Sequence, residues 1–376
     1  MTSNKVVVTN ANIITGYGYG IDLCWDKLLL NKTSITKNSR FSTKKFISDY
    51  AALIPNISIK KNISIIMQML NPLLDEIKIN LPPDSLLMLA TTTGEIELLE
   101  DSIISQSGDI KKSEINNLLE KIQSGLNMEK DAMIISAACA SSSTAIAQAA
   151  SMIKNGIKDS VLIIGCDSVS EFIYSGFSAL QALSKEPASP FDQNRDGLTL
   201  GDGAAYAILM SESRAKKENK NCLGYVSGWG LSNDSNHITG PSRDGDGLAS
   251  AIKTSLKTAN INSNEIGSIS AHGTGTLYND SMEMKAFKNI FKAPRPTYSI
   301  KGGTGHTLGA AGLIEVLICL KSLSKNIIPP SVGVKNTAED AEEWINTESH
   351  KLTTKHCLST NSGFGGINAA LILSKI

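Results

Sequence analysis

Cys139, His272 and His306 are the residues of this sequence best placed to do chemistry. Cys139 falls between an apolar run, AMIISAAC, and a small-residue run, ASSSTAIAQAASMIKNG. The first reads as a buried strand and the second as a helix that stops near Gly156. The thiol therefore sits at a strand-to-helix turn. Such a turn exposes a side chain, and the unpaired N–H groups of the helix start favour thiolate over thiol. The expected pKa is below the roughly 8.5 of a free cysteine. A small cysteine packed into an Ala/Ser-rich core is the competing reading, and spacing alone leaves both open.

His272 lies in AHGTGT, directly after a predicted strand. A loop imidazole there can reach a cleft and exchange hydrogen bonds near neutral pH. The neighbouring glycines allow close approach of a ligand, and Thr274 and Thr276 offer hydroxyls. His306 lies in KGGTGHTLGAAG, between the predicted strand TYSIKGG and the helix GAAGLIEVLICLKSLS. The string resembles a phosphate loop but lacks the G-K-[ST] ending, so nucleotide binding is not expected. Phe364 stands among the glycines of SGFGGIN, whose backbone N–H groups could hold an anion or an oxyanion. Satisfied loop histidines and a tight turn account for these three positions equally well.

The elements that must position these residues alternate along the chain. KVVVTNANIIT reads as a strand, then a Gly-rich turn and the helix LCWDKLLLN. Gly16, Gly18 and Gly20 do not spell G-x-G-x-x-G, so no dinucleotide site is expected. Residues 57–80 carry helical spacing, SLLMLATTTGE a buried strand and turn, and 101–130 a polar stretch with a short helix at NNLLEKI. AMIISAAC, its helix and DSVLIIGCD form a β-α-β unit, which implies parallel strands. LGYVSGWGLS, GDGLASAIKTSLKTAN, IGSISAHGTGT, SMEMKAFKNIF and TYSIKGG then alternate strand and helix, and HCLSTNSGFGGINAALILSK closes with two strands. This is an α/β pattern. Two small-residue helices, one after Cys139 and one after His306, hint at an internal duplication.

Composition narrows the class. The chain has 376 residues, enough for two packed halves, with 41% hydrophobic and 19% charged residues. Lys and Arg total 36 and Asp and Glu total 36, so no nucleic-acid or membrane-surface partner is favoured. The six cysteines show no C-x-x-C spacing, and no run approaches the length of a membrane span or a secretory leader. A cytoplasmic protein of a reducing compartment is expected.

The ordered set AACASSS, AHGTGT, KGGTGHTLGAAG and NSGFGGIN resembles the chain-elongating β-ketoacyl-acyl-carrier-protein synthases, whose active sites are Cys-His-His. VVVT, FSALQALS, SPFDQNRDGLTLGDGAA and the D-x-x-H-x-T-x-P of Asp234 to Pro241 match too, so the resemblance spans nearly the whole chain. It implies a thiolase-like fold: two similar α/β halves, residues 1–222 and 223–376, stacked in five layers α-β-α-β-α. It also implies an acyltransferase that condenses malonyl-carrier protein with an acyl group held on Cys139. The resemblance makes the backbone N–H groups of Cys139 and Phe364 an oxyanion hole, and Phe364 also a gate. It sets His272 and His306 on the malonyl thioester carbonyl, with Lys301 as active-site lysine and Glu315 as its acidic partner. Thr274 and Thr276 would hold the phosphopantetheine arm, and Asp280 and Glu283 would support the site. No metal and no cofactor are implied. Expected partners are an acyl carrier protein and a second synthase chain or chain-length factor in a homo- or heterodimer; Lys60 and Lys61 read first as a solvated helix end, with contact to an acidic carrier protein as the alternative.

The sequence departs from the family in three places. Residues 101–130 are short where dimer interface and pocket floor are often built, GLNMEKDAM replaces the usual G-L-x-G-P, and Asn10 replaces a glycine, expected to alter only a turn. The competing readings are a non-catalytic chain-length-factor subunit, a starter-type synthase or thiolase, and an unrelated cysteine hydrolase. The first usually lacks the nucleophile, the second lacks the paired HGTGT and GHTLGAAG motifs, and the third leaves the glycine loops unexplained.

Overall fold

Runs of β-branched and aliphatic residues that bury both faces need cover on both sides, and that requirement organises this molecule. A computed structural model describes residues 4–58, 63–106, 110–128 and 131–376. Lys60 and Lys61 lie outside the described residues.

The N-terminal half contributes β1 (Val6–Thr15), β2 (Leu86–Ala90), β3 (Ala132–Ile135), β4 (Ser160–Asp167) and β5 (Gly203–Ser211). Their spatial order is β3-β2-β4-β5-β1. Strand β2 runs parallel to β3 and β4, and β5 is antiparallel to β4 and β1. The C-terminal half contributes β6 (Gly224–Asn233), β7 (Ile266–Ser270), β8 (Thr297–Tyr298), β9 (His356–Gly363) and β10 (Ile367–Ser374), in the order β8-β7-β9-β10-β6. Numbered within its own half, each sheet reads 3-2-4-5-1 with the same parallel and antiparallel pairs. The duplication hinted at by two helices is thus a duplication of topology. A short antiparallel pairing, Val7 with Tyr225 and Val8 with Gly224, joins the halves.

Helices cover these sheets on α1 (Ile65–Asn80), α2 (Ile115–Leu126), α3 (Ser141–Lys154), α4 (Asp246–Ala259), α5 (Leu277–Ile290) and α6 (Ala311–Lys325). Ile66, Leu70, Leu118 and Ile122 of α1 and α2 pack on one face of the N-terminal sheet with Leu87 and Ile164. Leu248, Ile252, Met282 and Phe287 of α4 and α5 cover the outer face of the other sheet with Leu358 and Ile372. Between the sheets lie α3 and α6, where Ala145, Ala149, Leu313 and Leu317 meet Met88, Ile163, Cys357 and Leu371. Five layers result, as the resemblance implied. The central helices are rich in Ala, Ser and Gly because two sheets close on them from both sides. Gly312 shows how tightly, since a Cβ there would lie 2.8 Å from Asn361 Oδ1.

Local details differ from the sequence reading. Helix α1 begins at Ile65, where the Ser64 side chain accepts from Met67 N, rather than at 57. TYSIKGG is strand only over Thr297–Tyr298; Lys301 opens a single helical turn, Lys301–Thr304, capped by Gly305 at φ +67°. The 101–130 stretch carries the end of a helix over Ile96–Ile104 and all of α2. Asn10 sits not in a turn but in β1, next to a bulge, where its Oδ1 accepts from Tyr206 Oη of β5.

Candidate active site

The nucleophile candidate is presented by a strained turn. Strand β3 ends at Ile135, and α3 starts at Ser141. Between them Ala138 adopts φ +48°, a left-handed conformation that costs a residue with a Cβ free energy and persists only where packing enforces it. Ser141 pins the turn, accepting from Ala137 N at 2.9 Å and donating to Ala138 O at 2.6 Å. Gly363 closes on it from β9, where a Cβ would come within 3.1 Å of Cys139 N.

Cys139 is 7% exposed. The backbone N–H groups of Phe364 and of Cys139 itself act on its sulfur. These are the two donors expected of an oxyanion hole. The expected low thiol pKa is not what the structure gives. Burial pushes the thiol up to about 12, against the pull of the Lys301 ammonium and these N–H groups, and Asp167 pushes it further up. The helix start does not rescue the thiolate because Cys139 precedes the first helical residue and faces little water.

His272 follows β7 and His306 follows the Lys301–Thr304 turn, so they come from different loops of one half. The N-terminal half clamps His306: its N–H donates to Thr199 O at 2.7 Å and its carbonyl accepts from Gly201 N at 3.0 Å. The imidazole centroids are 5.2 Å apart and nearly perpendicular. Burial lowers both pKa values well below 6.5, and the Lys301 ammonium adds to the effect, so both rings are neutral at pH 7.

Their tautomers follow from their partners. Leu308 N donates to His306 Nδ1 at 3.2 Å. Lys301 Nζ and Asn361 Nδ2 each lie 3.2 Å from His272 Nδ1. A ring nitrogen facing only donors carries no proton, so in both rings the hydrogen sits on Nε2. Cys139, His272 and His306 are the one group of three metal-type donors gathered among the described residues, within 4.8 Å. With both ring hydrogens on Nε2 and the thiol protonated, the group presents hydrogen-bond donors.

Lys301 and Glu315 form an ion pair at 2% and 1% side-chain exposure. Lys301 also donates to His272 O, and Glu315 Oε2 accepts from Asn361 Nδ2 at 2.6 Å. Glu283 accepts from the N–H groups of His272 and Gly273 at 2.7 and 2.6 Å. Asp280 accepts from Thr274 N, Gly275 N and Phe191 N. Both acids hold the backbone of the AHGTGT loop.

A cavity of about 440 Å³ opens onto this group. Cys139, His272, His306, Thr274, Thr276 and Phe364 all line it. The two threonine hydroxyls lie 3.0 Å apart at its wall. Phe364 stacks on Phe177, centroids 5.7 Å apart. The structure thus gathers every described residue that the resemblance assigned to the active site in or directly behind one cavity.

Four contributors were not singled out from the sequence. Asn361 stands three residues before Phe364 in NSGFGGIN, and Phe177 opens FSALQALS, so both lay inside quoted motifs. His237 lies in the Asp234–Pro241 segment and also lines the cavity. Asp167, at the end of β4, accepts from Thr91 Oγ1, Thr92 N and Gly309 N, and its pKa is raised to about 6 by burial. No motif carried it.

Sequence and structure comparisons identify the family. Residues 120–215 match the N-terminal domain model of beta-ketoacyl synthase, and 223–335 match its C-terminal domain model. The chain belongs to the β-ketoacyl synthase family. It is 27% identical to 3-oxoacyl-[acyl-carrier-protein] synthase 2 of Vibrio harveyi over the full length of both. It is 33% identical to the enzyme of that name from Rhizobium meliloti over 63% of this chain and 59% of the relative. Among solved structures, the ishigamide ketosynthase/chain length factor superposes with a TM-score of 0.88 at 25% identity, over the whole of both chains. Among the described residues no helix is long and apolar enough to cross a membrane.

Proposed function

We propose that this chain is a 3-oxoacyl-acyl-carrier-protein synthase that elongates an acyl chain held on Cys139 by decarboxylative condensation with malonyl-carrier protein. The observation that carries it is the pairing of two donor sets around one sulfur. The N–H groups of Cys139 and Phe364 form one, and the Nε2–H groups of His272 and His306 form the other.

Cys139 sulfur attacks the acyl thioester, the carbon–sulfur bond to phosphopantetheine breaks, and the cysteine proton leaves with the departing thiol. The backbone pair holds the tetrahedral oxyanion; one such donor is typically worth about 100- to 1,000-fold in rate. Malonyl-carrier protein then enters past Thr274 and Thr276. Its carboxyl carbon–carbon bond breaks, carbon dioxide departs, and the electron pair becomes an enolate whose oxygen accepts hydrogen bonds from the two Nε2–H groups. The enolate carbon attacks the acyl carbonyl, and Cys139 leaves as thiolate and regains a proton. The product is a 3-oxoacyl thioester two carbons longer. Departing carbon dioxide supplies the carbanion equivalent, so the proposed chemistry calls for no metal or organic cofactor.

An acyl carrier protein is the proposed partner in both half-reactions. A second synthase-like chain, identical or of the chain-length-factor type, is the proposed dimer partner, supported by the make-up of the ishigamide neighbour. Six free cysteines support a reducing, cytoplasmic setting. Intact-protein mass spectrometry after incubation with a panel of acyl-carrier proteins tests the reading. An acyl adduct lost in Cys139→Ala and discharged by malonyl-carrier protein as a 3-oxoacyl product supports it. No adduct from any donor overturns it in favour of a partner subunit.

A further inference from the structure

The tautomer of His272 depends on a side chain outside the reacting group. Asn361, in β9, is 1% exposed. One amide hydrogen goes to Glu315 Oε2 at 2.6 Å, and the other faces His272 Nδ1 at 3.2 Å. Its Oδ1 accepts from Ser143 Oγ, on the helix that follows Cys139. The acceptor end is thereby fixed on Ser143 and the donor end on Glu315 and His272. Flipping the carboxamide would set its oxygen against the Glu315 carboxylate. Gly312 leaves the space this requires, since a Cβ there would collide with both Ser143 Oγ and Asn361 Oδ1.

We propose that Asn361, oriented by Ser143 and Glu315, is a positioning residue that keeps the proton of His272 on Nε2 and so makes that ring a donor to the malonyl enolate. The proposal rests on the synthase reading. It also explains why the contact bridges the halves: Ser143 belongs to the nucleophile's helix, while Asn361, Glu315 and His272 belong to the other half. Acylation does not use the His272 donor, whereas decarboxylation does.

Asn361→Asp is nearly isosteric and replaces the donor facing Nδ1 by an acceptor. The new carboxylate draws the hydrogen toward Nδ1 against the remaining Lys301 donor, so the Nδ1–H tautomer gains population and Nε2 donates less. The groups facing His272 are Lys301, Glu315, His306 and Cys139 around the ring and Glu283 at its backbone N–H. Of these, only Lys301 still donates to Nδ1. Malonyl-carrier-protein decarboxylation in Asn361→Asp is expected to fall on the order of 100-fold at pH 8, the worth of one preorganised donor. It is expected to recover partly as the pH falls and the new carboxyl, set against Glu315, takes up a proton and can again donate. Acyl-Cys139 formation stays within a few-fold of the parent. Ser143→Ala, which only frees the carboxamide to turn, gives the same pattern more weakly and carries the test if the first variant fails to fold. Equal loss of acylation and decarboxylation at every pH, or unchanged decarboxylation in both variants, overturns the proposal. Failure of the unmodified protein to acylate Cys139 would instead count against the synthase reading.

Discussion

Lys301→Met removes the cation of a buried ion pair while keeping most of the side-chain volume. Lys301 and Glu315 are 2% and 1% exposed, so the carboxylate left behind has no water to replace its partner. Breaking such a pair from one side typically costs about 3–5 kcal/mol. Glu315→Gln, which strands the ammonium, should cost a similar amount. In the double variant neither charge is stranded, so its cost should fall short of the sum by about 2–3 kcal/mol, the coupling expected of groups in one network. Burial already raises the Glu315 pKa, with Lys301 and Asn361 opposing. Without Lys301 it rises further, and the folded state takes up a proton that the unfolded chain binds only at lower pH. The Lys301→Met penalty should therefore be largest at neutral and alkaline pH. It should shrink on acidification by up to about 1.4 kcal/mol per unit. The Glu315→Gln penalty should not shrink in that direction. Urea unfolding of the three variants at fixed protein concentration, from pH 5.5 to 8.5, reads all of this. Additivity within about 0.5 kcal/mol, or a Lys301→Met penalty that grows on acidification, would refute the argument.

The remaining expectations concern rates. Because the Cys139 thiol is raised to about 12, its alkylation by iodoacetamide should keep accelerating from pH 7 to 10, about tenfold per unit; a plateau below pH 8 would contradict the buried-thiol account. His272 and His306 stay neutral as the pH falls through 6.5, so malonyl decarboxylation should show no inflection there. The unfolded chain does protonate both, which should steepen acid destabilisation below pH 6.5 by up to about 2.7 kcal/mol per unit. His306→Ala should still form acyl-Cys139 yet lose condensation; normal condensation would remove that ring from the enolate site. Gly363→Ala must push β9 off the Cys139 turn, because backbone atoms lie 3.1 and 3.2 Å from the new methyl. Its acylation rate, followed by mass, should drop on the order of 100-fold, as for one lost oxyanion donor. A parent-like rate would detach Phe364 N–H from that role.

Chemical types were legible where the sequence writes them next to backbone signals. Cys139 at a strand–helix junction, two histidines after predicted strands and a glycine-flanked Phe364 are all local patterns. The ordered motifs then made the five-layer fold readable, and the structure bears that out. What failed was local reasoning about environment. Helix-start N–H groups, which can be read from the chain, favour a low thiol pKa, whereas the burial that raises it cannot be read there. The strand position of Asn10 is not legible locally, because its pairing with Tyr206 crosses 196 residues. The strand at TYSIKGG stops at Tyr298, short of what its residues suggest, and the chain beyond it is held at His306 by Thr199 and Gly201 of the other half.

By itself, then, the sequence determined which groups are available and on which strand ends and loops they sit, since propensity and periodicity act over a few residues. Only the tertiary structure decided how those groups are protonated and which of them face one another. Burial between two sheets keeps a thiol protonated and two imidazoles neutral, and it leaves Lys301, Glu315 and Asn361 to be solvated by one another and by His272 and Ser143. Those are properties of the low-dielectric seam where two copies of one topology meet, and no segment of the chain contains that seam on its own.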